Sequence, residues 1–219
     1  MHKLKEIFGS YSKAAEILQV MHGIKAVVRQ GFYENEISKV KDFCIRNGLA
    51  LEIAPYKVVL TDPYKRYSNK GFKARIDDPR KGMFFAYISK DGNKAATAKV
   101  LEMKNDHKRL GLLLGYPECC IDFFIQNEPE RSRLDNDYSI CTLKNSKARR
   151  FPFFTNVFKR SKDAVLISHF PCSFDCEKSI EIAKRNLQLI GGIDLGLASR
   201  IVSELKGRVK VGNKEIEFY

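Results

Sequence analysis

Four of the six cysteines of this chain stand in two short motifs. The first reads Gly115-Tyr116-Pro117-Glu118-Cys119-Cys120-Ile121-Asp122-Phe123-Phe124. The second reads Ser168-His169-Phe170-Pro171-Cys172-Ser173-Phe174-Asp175-Cys176-Glu177-Lys178-Ser179. Thiolates ligate zinc and iron–sulfur clusters, and they are the nucleophiles of thiol chemistry. Cys119, Cys120, Cys172 and Cys176 are therefore candidate metal ligands. His169, three residues before Cys172, could replace one sulfur or act as the base that activates a nucleophilic cysteine. That makes Cys172 and His169 the candidate catalytic pair. The order Cys-Cys followed by Cys-x3-Cys matches neither zinc-ribbon pairs nor ferredoxin runs. Zinc, an iron–sulfur cluster and metal-free thiol redox chemistry all remain open to these sulfurs.

Three further residues accompany the motifs. Tyr116 could turn its hydroxyl into the site or simply pack. Asp122 and Asp175 could cap the backbone N–H groups of the motifs or serve as acid/base partners. The opposing reading is structural. Cys176 falls in register with Ile180, Ala183, Leu187 and Ile190, and Cys120 precedes Phe123 and Phe124 by one turn. Reduced cysteine packs as a small hydrophobe. Cys44 and Cys141 have no such company, and Cys44 suits the core.

Both motifs read as helix starts behind a proline. Pro117 suits the first turn of a helix. Ser173 suits the N-cap of a helix running from about Phe174 to Ile190. First-turn N–H groups are unpaired and the helix dipole is positive there, so both features favour thiolate over thiol. A joint site requires these two helix starts to face each other.

The segments GYPECCIDFF and HFPCSFDCEKS resemble the paired signatures of an uncharacterised prokaryotic family, mainly archaeal, catalogued as domain-of-unknown-function family 483. The resemblance covers the second half of the chain well and the first half loosely. It implies that the two segments belong to one recurring site, and it brings no activity with it.

The remaining elements predict an α+β fold. Helical spacing marks Ser12–Met21 and Glu34–Asn47. Apolar runs mark strands at Ile24–Val28, Leu49–Ile53, Lys57–Leu60 and Met83–Ile88. Thr61–Arg80 reads as a loop or ragged hairpin. A long helix is expected from Asn93 to about Leu114, stopped by Gly115. Beyond it, Glu128–Asp137 is polar loop and Ala164–Ile167 a short buried strand. Gly191–Gly192 separates two helices, and Arg208–Tyr219 forms a hairpin about Gly212–Asn213. With 219 residues the expectation is a single domain. Residues 1–90 would form a small mixed lobe, and 91–219 a mostly helical part that carries the cysteines.

The formal net charge is +13. Between Thr142 and Lys162 the chain carries Lys144, Lys147, Arg149, Arg150, Lys159, Arg160 and Lys162 and no acid. Phe151, Phe153, Phe154 and Phe158 interleave with them. Such a stretch suits RNA or another polyanion, with aromatic rings stacking on unpaired bases. It equally suits a buried aromatic face with basic stems over it. Neither a phosphate-binding loop nor a dinucleotide fingerprint is present. No apolar run spans a membrane, and the first residues lack the apolar stretch of a signal peptide, so a cytoplasmic location is the expectation. The Lys, Ile and Glu content with few glutamines has a thermophilic character, a setting in which intracellular disulfides occur.

Overall fold

Ser10 lies in extended backbone and its hydroxyl accepts a hydrogen bond from the Lys13 N–H at 3.1 Å, which starts a helix after it. Similar local signals punctuate the rest of the chain. The computed structural model describes residues 1–62, 68, 70–211 and 214–219. It divides the chain into two compact units, His2–Gly115 and Tyr116–Tyr219. Helices and strands are both present in quantity and the strands are clustered, so the fold is α+β. Among the described residues no helix is long and apolar enough to cross a membrane. All six cysteines are free thiols.

The first unit runs α1 (His2–Phe8), α2 (Tyr11–Met21), β1 (Val27–Tyr33), α3 (Glu34–Arg46), β2 (Ala50–Leu60), β3 (Gly71–Ala74), β4 (Met83–Ser89), α4 (Gly92–Met103) and α5 (His107–Leu113). The strands form an antiparallel sheet in the order β1-β4-β2-β3. Alternation along β1 separates its faces. Val28 and Phe32 join Phe8, Ile17, Val20, Val40 and Phe43 in the core beneath α1, α2 and α3. Arg29 points to the other face and donates to the Glu102 carboxylate of α4 at 2.6 Å. Cys44 is part of the core, and burial pushes its thiol up to about 11.

Several expectations in this unit change. The strand foreseen at Ile24–Val28 starts later and runs to Tyr33. The two strands foreseen at 49–53 and 57–60 are one, with a register shift between Ile53 and Lys57. Pro55 lies inside that irregularity, where its missing N–H breaks no ladder bond. The long helix expected over Asn93–Leu114 is two. Asn105 adopts the left-handed conformation (φ 54°), and Asp106 caps α5 through the Arg109 N–H. α4 starts at Gly92 rather than Asn93, with Asp91 as its N-cap. Part of the Thr61–Arg80 reading, at residues 63–67 and 69, lies outside the described residues.

The second unit runs α6 (Glu118–Asn127), α7 (Ser139–Asn145), β5 (Arg150–Phe151), α8 (Glu177–Ile193), α9 (Leu195–Leu205), β6 (Gly207–Val211) and β7 (Lys214–Phe218). β6 and β7 pair antiparallel as the foreseen terminal hairpin. Its turn at Gly212–Asn213 lies outside the described residues. β5 adds to β7 in parallel. Phe151, Phe158, Phe174 and Phe218 form one aromatic cluster, with ring centroids 5.3 to 6.3 Å apart.

Gly191 and Gly192 do not break the helix. α8 runs through both to Ile193, and Asp194 is the break, capping α9 through the Leu197 N–H at 2.8 Å. Ala164–Ile167 is buried but is not a strand. Its Leu166 carbonyl accepts from the Asn186 side chain at 2.7 Å instead of from a ladder partner.

Candidate metal centre

The first motif enters α6 with Pro117 as N-cap, so Cys119 and Cys120 occupy the first helical turn. Pro117 lacks an N–H, and its carbonyl accepts from the Cys120 and Ile121 N–H groups, which tightens this turn. The tight turn brings the two adjacent sulfurs to 3.9 Å.

The second motif departs from expectation. Ser173 does not cap a helix. α8 begins at Glu177 and its N-cap is Cys176. The residue responsible is Phe174, which is fully buried in the aromatic cluster. Its N–H donates to Ser146 Oγ at 2.9 Å and its carbonyl accepts from Thr155 Oγ1 at 2.6 Å. Those bonds hold Cys172–Asp175 in a non-helical turn. Thr142 Oγ1 fastens the same stretch by donating to the Pro171 carbonyl at 2.8 Å. Cys172 therefore lies ahead of the helix and Cys176 at its head.

These two pieces bring Cys119, Cys120, Cys172 and Cys176 together, with all four sulfurs within 4.8 Å of one another. Cys176 Sγ stands 3.8 Å from Cys119 Sγ and 3.7 Å from Cys120 Sγ. Cys120 and Cys176 are buried, whereas Cys119 faces solvent. The Cys172 N–H donates to Cys120 Sγ at 3.3 Å.

Charge is unevenly shared across the tetrad. Hydrogen bonds from the Cys120 and Cys172 thiols, together with Ser179, hold Cys176 far below the usual thiol range against the cost of burial. Cys120 is pushed far up by the same shared bonds, with Cys172 first and Cys176 second, and by burial. For Cys172 the bond with Cys120 lowers the thiol, but the bond with Cys176 and burial outweigh it and leave it pushed up to about 12. One negative charge is thus easily held, and four at this spacing need a cation among them. Four convergent sulfurs with that property could hold a metal ion.

His169 is not among the four converging ligands. It is buried, with its ring 5.0 Å from that of Tyr116 and its Nε2 2.9 Å from Ser179 Oγ. That hydroxyl in turn lies 3.3 Å from Cys120 Sγ. His169 therefore reaches the tetrad through Ser179, and Tyr116 packs against the His169 ring. Ser179 went unremarked in the motif reading. The signal was its place three residues after Cys176, which puts N-cap and N3 side chains on one side of a helix start. Asp122 and Asp175 are exposed.

The basic candidates divide. Lys144, Lys147, Arg149 and Arg150 are exposed, and Lys159 is half-buried. Arg150 pairs with Glu217 at 3.0 Å. Arg160 instead supports the second motif. It donates to the His169 carbonyl at 3.2 Å and its guanidinium lies 4.8 Å from the centre of the Phe170 ring. Phe151 and Phe158 belong to the aromatic cluster.

No curated protein and no solved structure matches the chain significantly. Residues 94–201, which contain both cysteine motifs, Ser179 and His169, match the model of the family described as "Protein of unknown function (DUF483)".

Proposed function

We propose that the Tyr116–Tyr219 unit is built around a single zinc ion held by Cys119, Cys120, Cys172 and Cys176, and that the ion's role is architectural. The observation that carries this is the sulfur spacing. A zinc–thiolate distance of about 2.3 Å places tetrahedral sulfurs about 3.8 Å apart. Three of the sulfur pairs stand at 3.7, 3.8 and 3.9 Å. A cubane iron–sulfur cluster puts each thiolate on a different iron at an outer corner, which needs a wider set. Four protein ligands close the coordination sphere, the arrangement of structural rather than catalytic zinc.

The surroundings suit a tetrathiolate ion, whose net charge is negative. The Cys172 N–H and Ser179 Oγ both address Cys120 Sγ. The starts of α6 and α8 add the positive ends of two helix dipoles. The ion would tie the turn at Cys172–Cys176 to the head of α6.

Anaerobic purification followed by elemental analysis tests this reading. Colourless protein with one zinc per chain is expected. Cobalt substitution should give the intense charge-transfer and tetrahedral ligand-field bands of thiolate coordination, and Cys172→Ala should lose both metals. Brown protein containing iron and labile sulfide would overturn the reading in favour of a cluster. Protein that stays metal-free under zinc supply and still unfolds cooperatively would overturn it in favour of thiol chemistry.

A further inference from the structure

A second surface of the Tyr116–Tyr219 unit carries chemistry that the cysteine site does not use. Phe153 and Phe154 follow β5 in a single 3₁₀ turn, half-buried, with rings stacked on each other at 4.2 Å and 29°. Lys206 Nζ lies over the Phe153 ring at 5.3 Å, and Lys184 Nζ over the Phe154 ring at 5.6 Å. The Phe153 N–H donates to the Tyr219 carbonyl at 3.0 Å, which ties the pair to the end of the terminal strand. There Tyr219 is 55% exposed, with the Arg150 guanidinium over its ring at 5.6 Å. Arg149 is exposed one residue before Arg150.

Charge is one-sided on this surface. Glu217 is occupied by Arg150. Lys147, Arg149, Lys184 and Lys206 have no acidic partner among the described residues. Two half-exposed rings and an exposed tyrosine bordered by unneutralised cations offer two different contacts at once. Ring faces accept stacked bases, and ammonium and guanidinium groups accept phosphates. A duplex hides its base faces, and an acidic peptide has none to stack.

We infer that Phe153, Phe154 and Tyr219, with Arg149, Arg150, Lys184 and Lys206, form a docking surface for single-stranded nucleic acid. A base on either phenylalanine takes the place of the lysine ammonium above it. The flexible lysine stem then carries that charge to the adjoining phosphate. The surface reads π-faces and phosphates rather than base edges, so it has little sequence preference.

Fluorescence anisotropy with labelled oligo(U) and oligo(dT) of about twelve nucleotides tests the inference on the full, metal-loaded chain. Both oligonucleotides should bind, with affinity falling steeply between about 50 and 200 mM salt. Phe153→Leu combined with Phe154→Leu keeps the apolar bulk but removes the rings, and should weaken binding by on the order of tenfold. Lys184→Ala with Lys206→Ala should flatten the salt slope. Unfolding midpoints of all variants are measured alongside, and Arg149→Ala, at an exposed side chain, gives a further variant that leaves the fold intact. Three results would each overturn the inference: no binding at low salt, affinity untouched by the leucine pair in a folded variant, or equal affinity for a duplex or for polyglutamate of matched charge.

Discussion

Replacing Ser179 by alanine isolates the contact between the tetrad and its surroundings. The side chain is fully buried, 3.3 Å from Cys120 Sγ and 2.9 Å from His169 Nε2. A hydroxyl has one proton to give. Next to a thiolate that proton goes to sulfur, and His169 Nε2–H then donates to the oxygen. A hydrogen bond to a charged group contributes about 1.5–3 kcal/mol, and groups that support metal ligands contribute on the order of 10- to 100-fold in affinity. Ser179→Ala should therefore weaken zinc binding about 10- to 100-fold. Without metal Cys120 is a neutral thiol, so losing the Ser179–Cys120 contact should cost the apo protein only about 1 kcal/mol, beside the part of the Cys176 charge that Ser179 also holds. Competition against a chromophoric chelator gives the affinity, and thermal unfolding of apo and loaded protein separates the two effects. His169→Ala acts on sulfur through Ser179 and should show the smaller loss. A zinc affinity for Ser179→Ala within twofold of the parent would refute this account of the hydroxyl.

Three other outcomes follow from the same geometry. Zinc binding should release at least two protons near neutral pH, because Cys120 is raised and Cys172 is pushed up to about 12; affinity should fall as pH falls, read by titration in weakly buffered solution. Burial pushes the Glu102 carboxyl up, but Arg29 at 2.6 Å more than offsets this and holds it below its usual value. Its contribution to stability is therefore complete above the ordinary carboxyl range near about pH 4.3 and disappears as pH falls through the lowered native value, so urea midpoints of Glu102→Gln should lose part of that acid dependence. Phe174→Ala removes a fully buried ring from the aromatic cluster and should cost about 3–5 kcal/mol in denaturant unfolding, with zinc affinity falling too because Cys172 and Cys176 flank it.

What the chain revealed before folding depended on the range of the interactions involved. Helix α3 was legible because its apolar stripe and its stop near Gly48 are local. So were the cysteine motifs and the prolines in front of them. The start of α8 was not legible: Ser173 has good capping chemistry, but Phe174 is drawn into a cluster with Phe151 and Phe218, and burial of that ring outweighs one capping bond. β5 escaped notice because two residues joined to the far terminal strand leave no periodicity of their own. Gly191 and Gly192 misled in the opposite sense. Their helical cost is modest beside the buried side chains on the same helix, Ala183, Asn186 and Ile190. Convergence of the sulfurs could be required by argument but not read from either motif alone.

The tetrad joins residues 52 positions apart in the chain, from Cys120 to Cys172. An ion at that junction makes the backbone between them a closed loop. Closing a loop of that length restricts an unfolded chain by about 4 kcal/mol in the chain-entropy picture. Within the loop, Glu128–Asp137 is mostly exposed and outside any long helix. A protease cut there would leave two fragments still fastened to each other through sulfur, and a chelator would remove that fastening. The ion would then decide whether a nicked molecule survives as one body.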